Sequence, residues 1–170
     1  PLDGSREYGL AERRDWAVHV ALWHADAIVA AAVALPASDV VHATDDAVAV
    51  SRGGRRRILV SDSRPPEFAA AVARDLDADL VPMGSAGAKV MAVLRGEADA
   101  YVHAGGQWEW DSAAPVGVAT AHGASPLVGK GGRDVVVDAD GLVDRRQRVV
   151  AVLTSRADEE LEVDLGRGPH

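Results

Sequence analysis

The chain has 170 residues, which suits one sizeable domain or a small domain with part of another. Its apolar share of 48% is mostly Ala and Val, with only four Trp, two Tyr and one Phe, so the core must be built from small, tightly packed side chains. A formal net charge of −8 speaks against a general nucleic-acid binder, and the lack of cysteine rules out disulfides and thiolate metal sites.

The chain opens on PLDGSREYGL, in which Asp3-Gly4-Ser5 forms a turn signal. Residues 15–23, DWAVHVALW, alternate with the period of a strand. Residues 27–35 read as a second strand after a short HADA turn, and residues 40–51 as further strand or hairpin. Residues 52–57, RGGRRR, are a Gly and Arg linker and the best candidate boundary.

Beyond it, strands and helices alternate. Residues 57–61 form an apolar strand, and Pro65-Pro66-Glu67 mark a helix start whose Phe68, Val72 and Leu76 share one face. A strand over 79–83, a helix over 85–96, a strand over 98–103 and a helix over 111–122 follow. The β-α-β-α-β-α order predicts an α/β layer, so the whole reads as a mostly antiparallel amino-terminal sheet followed by a carboxy-terminal α/β layer. After residue 123 the pattern weakens, with residues 135–143 mixing strand and turn signals. The three segments are 1–54, 55–128 and a divergent, partly disordered tail over 129–170.

Three motifs sit where α/β folds place ligands. Asp3-Gly4-Ser5 is either a plain turn closed by a hydroxyl, or a hard oxygen ligand for Mg²⁺ beside backbone N–H groups that can approach an anion. Residues 84–89, GSAGAK, are either a small-residue packing junction or an anion-binding strand-to-helix turn with Lys89 one turn in; the spacing is not that of a Walker loop. Residues 107–114, QWEWDSAA, place Asp111 as a helix N-cap with Pro115 still in the first turn, under two tryptophans whose more ordinary role is packing. The histidines, His19 among them, have no partner at metal-ligand spacing and read as packing residues.

Together these motifs resemble one family. PLDGSREY is similar to the aspartate-proline-x-aspartate-glycine-threonine motif of the inositol monophosphatase superfamily, beginning one residue late, and WDSAAP to its tryptophan-aspartate-x-alanine-alanine signature. Arg6-Glu7-Tyr8, the SRPPE stretch and GSAGAK followed by RGEADAYVHAGGQWEWDSAAP resemble the CysQ-type 3′(2′),5′-bisphosphate nucleotidases, especially the actinobacterial ones. The resemblance runs to about residue 123.

It implies a layered α-β-α-β-α fold, present here in part, and Mg²⁺-dependent hydrolysis of 3′-phosphoadenosine 5′-phosphate in sulfate assimilation. An inositol or sugar monophosphatase is the alternative within the superfamily, and a non-catalytic remnant that binds nucleotide or phosphate is the alternative outside catalysis. Position by position, the resemblance makes Asp3 and Asp111 metal ligands by side chain and Leu2 one by its carbonyl. Ser5 takes the place of the threonine that helps activate water, and the N–H groups of Gly4 and Ser5 hold the phosphate. Arg64, Ser85 and Lys89 contact the nucleotide, and Trp108 and Trp110 could stack on a base, though packing is their more ordinary role.

The family's upstream acids have no counterpart here, so the chain as given is expected to be inactive or nearly so. It is also expected to leave one face of its antiparallel sheet bare, which favours a homo-oligomer. Whether residues 149–153 cover that face is left open. The longest apolar run, residues 25–36, contains Asp26 and is too short to span a bilayer, so a cytoplasmic protein acting on a small nucleotide, without membrane or nucleic-acid partners, is expected.

Overall fold

Alternating small and β-branched residues in the first third of the chain build an antiparallel sheet. In the computed structural model, which describes residues 1–48, 54–104, 108–127, 136–139 and 148–152, its strands are β1 (Leu2–Asp3), β2 (Ala17–His24), β3 (Ala27–Leu35) and β4 (Val40–Ala43), paired in that order. The two-residue turn Ala25-Asp26 has positive φ at both positions, 47° and 62°, the geometry that suits a right-twisted hairpin. Residues on one side of the pleat are buried, namely Ala17, His19, Ala31, Val33 and Leu35. The register Val18↔Ala34, Val20↔Ala32 and Ala34↔Val41 puts Val18, Val20 and Val41 on the opposite side, where Val20 and Val41 are exposed.

The second half gives β5 (Arg56–Ser61), α2 (Ala69–Asp75), β6 (Ala78–Met83), α3 (Ala86–Leu94), β7 (Ala100–His103) and α4 (Glu109–Ala121), after a short α1 (Ser5–Tyr8) near the start. β5 pairs in parallel with both β6 and β7, as the alternating order predicts. The pleat divides these strands between two cores. Leu59 and Tyr101 face a cluster that takes in Val33 and Leu35 of the first sheet, Val90 to Leu94 of α3, and Ala114 and Val118 of α4. Ile58, Ala100 and Val102 face a second cluster packed by Phe68, Val72 and Leu76, the apolar stripe read from the sequence. α3 and α4 therefore lie between the two sheets, and α2 covers the far side of the second.

Close packing of α4 on the first sheet depends on Gly117, where a Cβ would come within 2.8 Å of Ile28 and 2.9 Å of Ala31. Three further strands join the second sheet: β8 (Ala124–Leu127), β9 (Val136–Ala139) and β10 (Arg148–Val152). β10 pairs with β8, β9 and β7, so residues 148–152 extend the second sheet instead of covering the first. Among the described residues nothing covers the outer face carrying Leu2, Val20, Leu22 and Val41, all exposed.

The strand expected over 40–51 stops at Ala43. The chain turns there, with Thr44 N–H donating to the Ala31 carbonyl at 3.0 Å and Asp46 accepting from Ala43 N–H at 3.1 Å. Residues 49–53 lie outside the described residues, and of the linker expected over 52–57, Arg56 and Arg57 already belong to β5, paired with Ala78 and Asp79 of β6; most of the segment beyond 127 also lies outside the described residues.

Candidate active site

Asp3 ends the edge strand β1 and points at the start of α3. One carboxylate oxygen, Oδ2, accepts from the Ser85 hydroxyl at 2.6 Å and from Gly87 N–H at 2.9 Å. Ser85 is the N-cap of α3, and its Oγ also accepts from Ala88 N–H at 3.0 Å. The hydroxyl thus caps the helix and orients the carboxylate at once, and the positive end of the helix dipole faces the charge. These bonds use Oδ2 and leave Oδ1 for another partner.

After Asp3 the backbone turns sharply through Gly4, at φ +81°, into α1. Glycine is required twice over, because a Cβ there would lie 3.2 Å from both Ser85 and Trp16 in a left-handed conformation. Ser5 opens α1 and is exposed. The Pro1 carbonyl accepts from His19 N–H at 2.9 Å, so the next carbonyl, that of Leu2, turns to the open edge of the sheet.

Asp111 reaches the same region from α4. Its carboxyl titrates above the usual carboxylate range, first because burial desolvates it and then because Asp3 is negatively charged nearby. The two acids, distant in sequence, therefore act on one shared volume. Asp111 is not the N-cap that the sequence suggested: α4 starts at Glu109 with Trp108 as its N-cap, and Asp111 is the third helical residue. Glu109 and Asp111 in the first turn favour the earlier start by opposing the helix dipole. Pro115 then falls in the helix interior, and its missing N–H leaves the Asp111 carbonyl without its helical partner.

His19, read from the sequence as a packing residue, lies between the two acids. Its ring is 1% exposed. Nδ1 is 3.1 Å from the Trp110 carbonyl, which can only accept, so this nitrogen carries the hydrogen. Nε2 is 3.4 Å from Asp3 Oδ2, in ion-pair range but without hydrogen-bond geometry. Within a period-two strand, nothing in the sequence distinguishes this histidine from a core residue.

A buttress stands behind Asp3. Arg13 donates to both oxygens of Asp15, at 2.7 and 2.6 Å, and to Asp62 at 2.8 Å. Asp15 in turn accepts from Gly84 N–H at 2.6 Å, and its backbone carbonyl from Ser85 N–H at 3.0 Å. These bonds hold Asp15 below the usual carboxylate range, the Arg13 hydrogen bond being the largest cause, and hold Arg13 above its own. Buried Glu7 presses on Gly84, where a Cβ would lie 2.4 Å from Glu7 Cγ.

Lys89 turns its ammonium into the interior, within electrostatic range of Asp3. It is 2% exposed, donates to the carbonyls of Met83, at 3.2 Å, and Gly84, and lies 4.8 Å over the Tyr101 ring. Burial lowers its pKa to about 8. Arg64 is exposed in the loop after β5, its N–H donating to Ser61 Oγ at 3.2 Å. The fold thus gathers Leu2, Asp3, Gly4, Ser5, Ser85 and Asp111 and turns the Lys89 ammonium inward.

Trp108 and Trp110 do not pack into the core. They are 62% and 48% exposed and stack on each other, ring centroids 4.7 Å apart and planes 8° from parallel.

Among the described residues no three His, Asp or Glu side chains gather as a metal cluster. The free oxygen of Asp3, the Asp111 carboxylate and the Leu2 carbonyl do suit one hard cation, with water or a phosphate completing its shell.

A two-sheet fold with helices between the layers and a pair of acids at the seam defines a layered α/β architecture. The chain belongs to the inositol monophosphatase family, whose sequence model it matches over residues 1–162. The match runs on through much of the segment that the sequence reading set apart. The chain is 51% identical over 133 residues to the 3′-phosphoadenosine 5′-phosphate phosphatase of Mycobacterium tuberculosis, covering 72% of this chain and 50% of that protein. To the Mycobacterium leprae enzyme of the same name it is 50% identical over 137 residues, covering 72% and 51%. It therefore spans about half the length of the curated relatives it matches. Among solved structures, CysQ from Bacteroides thetaiotaomicron has a TM-score of 0.64 at 20% identity, covering 79% of this chain and 62% of that one. Mycobacterium tuberculosis SuhB has a TM-score of 0.60 at 27% identity, covering 82% and 64%. Among the described residues no helix is long and apolar enough to cross a membrane.

Proposed function

We propose that this chain carries part of the active site of a cytoplasmic phosphatase that hydrolyses 3′-phosphoadenosine 5′-phosphate to AMP and phosphate in sulfur assimilation. The observation that supports this most is the pairing of Asp3 and Asp111 across one volume, with Asp3 anchored through a single oxygen. The relatives at 50–51% identity bear the name of that activity.

In this reading Asp3, Asp111 and the Leu2 carbonyl hold Mg²⁺, which when bound neutralises phosphate charge and makes water a better nucleophile. Ser5 orients the attacking water, and the N–H groups of Gly4 and Ser5 hold a phosphate oxygen. Arg64 grips a substrate phosphate as a bidentate donor. Ser85 acts from beneath, by fixing the rotamer of Asp3, and Lys89 by tying down the carbonyls at the start of the GSAGAK turn. Water adds to phosphorus, the bond to the 3′ oxygen breaks, and that oxygen leaves with a proton as the AMP hydroxyl.

The test is phosphate release from 3′-phosphoadenosine 5′-phosphate with Mg²⁺, by this chain and by a version lengthened upstream to the size of the relatives. Turnover that falls at least about a hundredfold in Asp3→Asn and Asp111→Asn supports the assignment. Hydrolysis of inositol phosphate in preference to the nucleotide would overturn the substrate.

A further inference from the structure

Two indoles stacked at the surface are poorly placed for a packing role. An aromatic side chain contributes most when its large apolar area leaves water, yet Trp108 and Trp110 keep 62% and 48% of theirs exposed. They stack on each other through one face, at 4.7 Å and 8° from parallel, and Trp108, the more exposed of the two at 62%, offers the larger free area to a third planar ring. Their location ties them to the acids. Trp110 is the residue before Asp111, and its carbonyl is held by His19, the ring that also touches Asp3. Both indoles ride on the N-terminal end of α4, so the helix that presents the Asp111 carboxylate also presents the flat apolar surface.

We propose that the Trp108–Trp110 pair is a stacking platform for the purine ring of the nucleotide whose phosphate lies at Asp3 and Asp111. The proposal rests on the nucleotidase reading for the phosphate end, but the platform itself requires only the indoles. Such a surface selects nucleotides over sugar phosphates. It discriminates weakly between adenine and guanine, because every base has a π-face and the platform reads no base edge. Purines are favoured over pyrimidines through their larger stacking area. The specificity of the site then comes from two independent ends, carboxylates for the phosphate and indoles for the base.

Adenosine, which has a base and no phosphate, separates the two ends. Titrated into the chain, it should quench tryptophan emission, and the quench should be lost in Trp108→Ala and kept in Trp108→Phe, the conservative variant that preserves a stacking face. In the presence of Mg²⁺, AMP should bind about tenfold or more tighter than ribose 5-phosphate, and the ratio should fall toward one in Trp108→Ala. An unquenched wild-type chain, or an AMP to ribose 5-phosphate ratio that is near one in the wild type, overturns the platform even if every variant fails to fold. If adenosine quenches while the lengthened form releases no phosphate from the nucleotide, the platform stands and the hydrolytic reading falls. Hydrolysis without any response to adenosine is the reverse result.

Discussion

The imidazole of His19 fills the volume that any side chain at position 87 would need, since a Cβ on Gly87 would lie 2.0 Å from Nε2. The ring cannot retreat easily, being buried and tied through Nδ1 to the Trp110 carbonyl. Gly87→Ala should therefore cost about 1–3 kcal/mol of stability, as overpacking does. It should also displace the N–H that holds Asp3. His19→Ala in the same chain opens the space, so urea unfolding of both single variants and the double should show the double more stable than their sum predicts. Strict additivity would mean the two positions do not compete for space.

Lys89 gives stability an alkaline signature. Burial holds its pKa at about 8, against 10.5 for a free lysine. Between these values the unfolded chain binds a proton that the folded chain does not, so folding becomes more favourable as pH rises through that interval. The gain is on the order of 3 kcal/mol, from about 1.4 kcal/mol per pKa unit. Denaturant unfolding at a series of pH values should show the rise in the parent chain and a flat difference in Lys89→Met. An equal rise in both would assign the effect elsewhere.

Asp15 has the opposite pH behaviour. Its carboxylate accepts from Arg13 and from Gly84 N–H and titrates below its usual 3.8. The stability it contributes is full above that usual value and is lost as pH falls through the lowered one. Asp15→Ala should cost about 1.5–3 kcal/mol at neutral pH, the range for hydrogen bonds to a charged group. Thermal melts of parent and variant should converge as the solution is acidified below 3.8.

Asp111 and Asp3 repel each other when no cation is present. Asp111→Asn should raise the melting temperature of the chain in a chelator, because it removes a desolvated charge that faces another of the same sign. The same change should remove any rise in melting temperature on adding excess Mg²⁺. A variant that melts lower in chelator and still responds fully to Mg²⁺ would contradict the shared volume of the two acids.

The strands and helices were legible because their periods are clean. Residues 31–35 alternate between buried and half-buried as a half-buried strand must, and Phe68, Val72 and Leu76 recur at four-residue spacing toward the second core. The start of α4 was misread because Trp108 caps the helix with backbone geometry alone, without the side-chain acceptor that marks an N-cap in a sequence. Lys89 stands after small residues in a pattern that suggests an anion site, and only the packing of α3 against Tyr101 turns its ammonium inward. His19 was invisible for the converse reason, because its meaning depends on Asp3, Gly87 and Trp110, which no local pattern relates to it. Asp3 and Asp111 were found through motif resemblance, while the partners that fix Asp3 come from long-range contacts.

Those long-range contacts also set the order in which the site can be assembled. Asp3 bonds to residues 82 and 84 positions further along the chain, and the Asp15 bond to Gly84 spans 69. During synthesis the carboxylate emerges well before α3, so it has no native acceptor or donor until the strand and helix around residue 85 have left the ribosome. Loop closure over such separations is slow compared with local helix and hairpin formation. The seam around Asp3 is thus among the last parts of the fold to form, and a pause in translation before residue 85 would leave a completed hairpin beside an unanchored Asp3.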